Sequence, residues 1–237
     1  MKKSKSMNLV LGFIVAMIIP FFVASMANAY QITTTLDGLP VNATANFAID
    51  DAADEITVTI NNLIVNPTGV IQNLSGLGFA LNIADSPVPI LASSSAYYRN
   101  VASDGSYTQG GPADTGWELQ SGVALPFGTG FLLNVLGTQP NPADRTLIGQ
   151  PDGLDIYSNA NGSIAANIPH NPFIYGPATF VIDFTGIYDL QPGTNISGVE
   201  WRFGTGPTTA VPEPATMLLL GCGLIGLAGF GRKKLFR

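Results

Sequence analysis

Apolar and polar residues alternate with a period of two through much of the middle of this chain. Ile56, Val58 and Ile60 are separated by Thr57, Thr59 and Asn61, a pattern that buries one face of a β-strand and leaves the other wet. The same alternation predicts strands at Leu77-Phe79-Leu81-Ile83, Phe180-Ile182-Phe184 and Val199-Trp201-Phe203, with a further strand near Phe47 and Ile49 and a more buried one over Phe131 to Leu136. Clusters of Gly, Pro, Asn, Ser and Asp punctuate these runs at Asn66-Pro67-Thr68-Gly69, Ser103-Asp104-Gly105, Gly110-Gly111-Pro112, Gln139-Pro140-Asn141-Pro142, Pro151-Asp152-Gly153 and Gln191-Pro192-Gly193. Between Ser86 and Gln150 the pattern is weakest, and long loops or a short helix are expected there. Many short strands with turn-rich spacing predict an all-β domain of two packed antiparallel sheets, a β-sandwich of jelly-roll type.

The two ends follow another pattern. Lys2, Lys3 and Lys5 precede an apolar stretch, Leu9 to Ala24, which Pro20 interrupts. Ala27 and Ala29 then flank Asn28, the small-x-small spacing that signal peptidase requires, so residues 1–29 form an expected signal peptide and Tyr30 the mature start. At the other end Val211-Pro212-Glu213-Pro214 abuts an apolar run of 17 residues, Ala215 to Gly231. As a helix the run spans about 25 Å, enough to cross a bilayer whose flanking basic side chains snorkel to the interface. Arg232, Lys233, Lys234 and Arg237 follow it and place the C-terminus in the cytoplasm. The two prolines keep Glu213 out of the helix, in an extended segment that a protease can grip. The expected organisation is a signal peptide over 1–29, a β-domain over 30–206, a linker over 207–214, a transmembrane helix over 215–231 and a basic tail over 232–237.

This order of a Pro-Glu-Pro triplet, an apolar run and a basic tail resembles the PEP-CTERM sorting domain of bacterial exosortase substrates, a segment also labelled an ice-binding-protein C-terminal domain. The resemblance implies cleavage near Pro212–Pro214 by a membrane-embedded cysteine transpeptidase. It also implies an inner-membrane intermediate with the domain outside the cytoplasm, followed by transfer to the cell surface or extracellular matrix of a biofilm. The layout further resembles a recurring type of exosortase-dependent surface protein in which a strand near Val199–Thr205 closes the domain. Signal peptidase and exosortase are therefore the implied processing partners.

Composition changes the picture of the middle. From Tyr30 to Ala210 the chain has only Arg99, Arg145 and Arg202 as basic residues against fifteen carboxylates, a net charge of −12 that the whole-chain value of −6 conceals. Such a surface argues against nucleic acid as partner and admits divalent cations or association with a neutral or cationic polymer, an extracellular polysaccharide among them. The one cysteine, Cys222, lies in the apolar run, so the exported domain contains no disulfide and depends on burial and strand pairing.

Candidate chemistry is sparse, and no catalytic residue or obligatory cofactor is expected. Gly221-Cys222-Gly223-Leu224-Ile225-Gly226 fits a dinucleotide-binding spacing but follows no strand and lies inside the membrane run. His170 is the sole histidine; a Ser-His-Asp triad would require it, and no nucleophile-elbow motif surrounds any serine. One histidine and no cysteine in the domain leave no ordinary zinc set. Asp50, Asp51, Asp54 and Glu55 crowd a turn between two strands, where hard oxygen ligands would suit calcium. Asp152 and Asp155, with Asp144, form a sparser cluster. Tyr97, Tyr98, Tyr107 and Trp117 could stack on sugar rings or plug the ends of the sheets. The sequence thus points to a non-enzymatic, structural or adhesive surface protein associated with exopolysaccharide. The competing expectations are a carbohydrate-binding or carbohydrate-active β-sandwich protein and a calcium- or ice-binding adhesin, the last disfavoured because no Thr-x-Thr ladder repeats along the chain.

Overall fold

A computed structural model describes residues 26–135, 145–168, 170–205 and 209–210. The chain begins as an antiparallel meander of three long strands, β1 (Met26–Leu36), β2 (Leu39–Asp50) and β3 (Glu55–Asn62). Asp37 and Gly38 both adopt positive φ, 48° and 79°, the geometry of the two-residue turn whose twist matches that of the strands it joins. A 3-10 turn over Val70–Gln72 leads into β4 (Leu74–Leu81), and β5 (Ile90–Val101) and β6 (Tyr107–Gln109) follow. The hairpin of β7 (Glu118–Leu125) and β8 (Gly128–Asn134) precedes the two-residue β9 (Leu147–Ile148). Two long strands, β10 (Phe173–Asp183) and β11 (Ile196–Phe203), and the short β12 (Thr209–Ala210) complete the order.

Hydrogen bonding divides the strands into two groups, β1-β2-β3-β10-β5-β6 and β12-β11-β4-β8-β7, joined through β9. β9 pairs with β10 in parallel and with β4 antiparallel. The all-β expectation holds, but the sheet is mixed, which corrects the purely antiparallel reading. A parallel partner needs only one strand to arrive from far away in sequence, and no local pattern in Leu147-Ile148 could announce it.

Alternation sets the core. Ile56, Val58 and Ile60 of β3, Phe47 and Ile49 of β2 and Phe180 and Ile182 of β10 are buried on one side of the first group. Leu77 and Phe79 of β4, Phe131 and Leu133 of β8 and Val199, Trp201 and Phe203 of β11 belong to the same core. Phe47 and Phe79 meet with ring centroids 5.2 Å apart, Phe79 and Phe131 at 5.3 Å, and Phe131 and Phe184 at 5.9 Å. This row of rings ties β2, β4, β8 and the end of β10 together.

Two local expectations change. β4 is buried on both faces rather than one: Gly76 and Gly78 leave space that Arg202 and Leu125 fill, and Ile83 falls beyond the strand. The weakly patterned region from Ser86 onward contains β5 to β9 and no helix among its described residues. Closest approach occurs at Gly149, where a Cβ would lie 2.1 Å from the Ile64 carbonyl oxygen; only glycine lets the segment after β9 pass there. The expected signal peptide up to residue 25 and the apolar run 215–231 lie outside the described residues. Among the described residues no helix is long and apolar enough to cross a membrane.

Candidate functional site

The residues expected to direct processing flank the domain at its two ends. β11 presents Trp201 and Phe203 to the core and, on its other face, Glu200 and Arg202, whose Nε donates to the Glu200 carboxylate at 2.9 Å. Thr209 and Ala210, within the expected linker, pair with Arg202 and Trp201 as β12. The domain therefore closes one short strand later than Val199–Thr205 implied. Val211, Pro212, Glu213 and Pro214 begin directly after β12; they and Arg232, Lys233, Lys234 and Arg237 lie outside the described residues. Ala27 and Ala29 fall within β1, paired with Ala48 and Asn46. Tyr30, just after the expected cleavage point, packs edge-on against Phe47 at 5.8 Å and donates from its hydroxyl to the Ile196 carbonyl at 2.8 Å.

The acidic turn forms between β2 and β3, as its residues predict. Asp50 Oδ1 accepts from the Ala52 and Ala53 N–H groups at 3.1 Å, and Asp54 Oδ1 accepts from the Leu190 N–H at 2.8 Å. Asp54 itself has φ of 54°. Two of the four carboxylates thus hold the turn and the neighbouring loop together, while Asp51 and Glu55 are half-exposed. Among the described residues no group of three His, Cys, Asp or Glu side chains could hold a metal ion. His170 sits in a turn and is half-exposed. Asp152 accepts from the Leu154 and Ile156 N–H groups and from the Ser158 hydroxyl, and those bonds, the serine's foremost, lower its pKa.

The aromatic residues divide. Trp117 is core, stacked on Phe180 at 5.3 Å with its Nε1 donating to the Arg145 carbonyl. Tyr98 accepts from Arg145 Nη1 at 3.1 Å and donates to the Asp114 carbonyl. Tyr107 flanks Arg99, and of the four only Tyr97 is exposed, at 41%. Arg99, itself 5% exposed, was not singled out by the sequence. Its guanidinium lies 3.3 Å from the Tyr175 ring centroid and 4.0 Å from that of Tyr107. It donates to the Tyr157 hydroxyl at 2.9 Å and twice to Gln109 Oε1. The stacked rings and neutral acceptors take the place of a carboxylate partner. Beside this cluster an open groove of about 590 Å³ is lined by polar Asn100, Ser106, Thr108 and Asn171 and by Tyr107 together with apolar Val101, Ala102, Ala166 and Ile168.

Burial raises the pKa of Tyr157, with its bond to Arg99 opposing, and the hydrogen bond to Asp155 raises that of Tyr107. A raised folded-state pKa keeps its stabilisation below the ordinary phenol value of about 10 and loses it as pH rises beyond. Equilibrium unfolding is expected to show a constant stability from pH 8 to 10 and a decline above, with a shallower decline in Tyr157→Phe. An identical slope in the variant would place the loss elsewhere.

Residues 210–233 match the family model of the PEP-CTERM protein-sorting motif. The match begins at Ala210, the residue of β12 paired with Trp201, and spans the Pro-Glu-Pro triplet, the apolar run and the first two basic residues. The ice-binding label has no counterpart in it. No curated protein and no solved structure matches the chain.

Proposed function

We propose that this chain is an exported surface protein whose domain is delivered across the membrane, held there by its C-terminal apolar run, and released or transferred when an exosortase cleaves near Pro212–Pro214. The observation that carries this reading is the sorting motif continuing without interval from the last paired strand of a disulfide-free, acidic β-domain. The domain is a β-sandwich in this reading: the buried faces of the two strand groups meet along the phenylalanine row, and β9 stitches them at one edge. Its role is structural or adhesive at the cell surface or in an extracellular matrix, in association with exopolysaccharide. Loss of the exosortase is expected to leave the full-length chain in the membrane fraction; a chain that is shortened equally without the enzyme is inconsistent with this function.

Export begins at the other end. Signal peptidase acting after Ala29 would remove the four residues of β1 that pair with Asn46–Ile49 and leave Tyr30 as the mature N-terminus. The Tyr30 ring and hydroxyl already hold that end to Phe47 and Ile196, so the new terminus stays docked. N-terminal sequencing of exported protein should start at Tyr30; recovery of the Lys2-Lys3 segment on that protein would overturn the cleavage.

A further inference from the structure

We infer that the outer face of the first strand group is a docking platform for a neutral, hydroxyl-rich polysaccharide chain. The registers place Tyr97 of β5 opposite Tyr175 of β10, and Asn61 of β3, Thr44 of β2 and Gln31 of β1 in a row of their own. The two parts adjoin at Gly176, where the Asn61 amide oxygen lies 3.0 Å from the position a Cβ would take, so that one track crosses five strands. The next row is Ser95, Thr179, Thr59 and Asn46. Every one of these side chains is exposed or half-exposed. Gln31 bonds to Asn42, whereas Thr44, Thr59, Asn61 and Ser95 make no side-chain hydrogen bond within the described residues and stay available to a ligand.

Charge selects the occupant. The domain has fifteen carboxylates; along these strands Asp50 and Glu55 stand opposite each other and Asp183 opposite Glu55 at one end, and beyond β5 the Asp155 carboxylate is taken up by the Tyr107 hydroxyl. The rows between are neutral, and the nearest cation, Arg99, is buried against Tyr175 and Tyr107. An anionic polymer finds no counter-charge on this face, and a cationic one would settle on the acids elsewhere. What fits is a neutral polymer that offers hydroxyls to the amides and hydroxyls and an apolar ring face to Tyr97, whose exposed ring can stack on it. Five strands at about 4.8 Å spacing give a track of about 19 Å, long enough for several successive sugar rings. Strands in a sheet rotate by about 20–25° from one to the next; a flexible chain can follow that twist, whereas a rigid crystal lattice cannot stay in register with it.

This inference rests on the proposed surface role for its setting, but its test is separate from sorting. The full-length chain in a polyoxyethylene detergent is run in native gels containing dextran, hydroxyethyl cellulose or laminarin, with alginate as the anionic control. Retardation is expected in at least one neutral gel and not in alginate. Tyr97→Ala should weaken it between about twofold and tenfold, the loss of one stacked ring, and Asn46→Arg with Thr59→Arg should abolish it. Ile90→Ala, an exposed position on β5 outside the rows, should leave it unchanged. All these positions are exposed or half-exposed, and circular dichroism melts establish that each variant is folded. Absence of retardation in every neutral gel, retardation in alginate, or insensitivity to both sets of row variants overturns the platform. So does a dimer in sedimentation that the row variants convert to monomer, which would make the face a self-interface. A Tyr97→Ala chain still shortened by the exosortase, in a background where no neutral glycan binds, would leave the sorting role standing and sink the platform alone.

Discussion

Glu213→Ala is expected to leave a full-length, membrane-retained chain in cells where the native chain becomes shorter. Glu213 and its two prolines lie outside the apolar run, so the change spares export and insertion, which depend on the run and its basic flank. What it removes is the single charge of the Val211–Pro214 segment. Pro214→Ala should behave alike, because the residue before a proline is held away from helical geometry and that restraint is lost. Deleting residues 232–237 should act differently, weakening retention and orientation through loss of four positive charges. The decisive measurement is the mass and cell fraction of the domain with and without the exosortase. If the Glu213→Ala chain is shortened and released like the native one, the segment is an anchor and the sorting function fails.

The largest expected loss of stability comes from Phe79→Ala. Phe79 is fully buried, holds both Phe47 and Phe131 within 5.3 Å, and stands where the two strand groups meet. Truncation removes the middle ring of the row and opens a cavity between strands that hydrogen bonds hold in place, at a cost of about 3–5 kcal/mol. A domain of this size has about 5–15 kcal/mol in all, and no disulfide supplements it here. The urea midpoint of the exported chain should fall steeply, whereas Ile90→Ala, at a position 56% exposed, should move it by no more than about 0.5 kcal/mol in stability. Equal midpoints for the two variants would mean the phenylalanine row does not join the halves of the fold.

Strands with contrast between their faces are legible in the amino-acid sequence. β3 and β11 announce themselves because Ile, Val, Trp and Phe alternate with Thr, Asn, Glu and Arg. β5 does not, because Ser93, Ser94, Ser95 and Ala96 are small on both faces and period-two reading needs contrast. β1 offers Ile32 among threonines, and its readable signal is the Asp37-Gly38 turn rather than the strand itself. β4 misleads because glycine at an inaccessible position looks the same in sequence as glycine at an exposed one. The sorting motif is legible because its three parts are contiguous. The hydroxyl and amide rows are not, since Tyr97, Tyr175, Asn61 and Gln31 become neighbours only once four strand registers are known. Arg99 escapes notice for a related reason: the rings that clasp it come from β6, β10 and the loop after β9.

β12 sets a short leash. From Ala210, hydrogen-bonded into the sheet through Trp201, to Ala215, where the apolar run begins, five residues reach at most about 18 Å when fully extended. A domain of 181 residues has a radius of gyration of about 16 Å. If the run is held in a bilayer as proposed, the domain cannot swing clear of the lipid headgroups before cleavage. In the proposed membrane-held intermediate its β11–β12 edge would face the bilayer, and a membrane protease would meet its target at a fixed height instead of searching along a loose tether. Unpairing β12 would lengthen that tether by at least its own two residues, so the rate of processing should respond to how firmly that last strand is zipped.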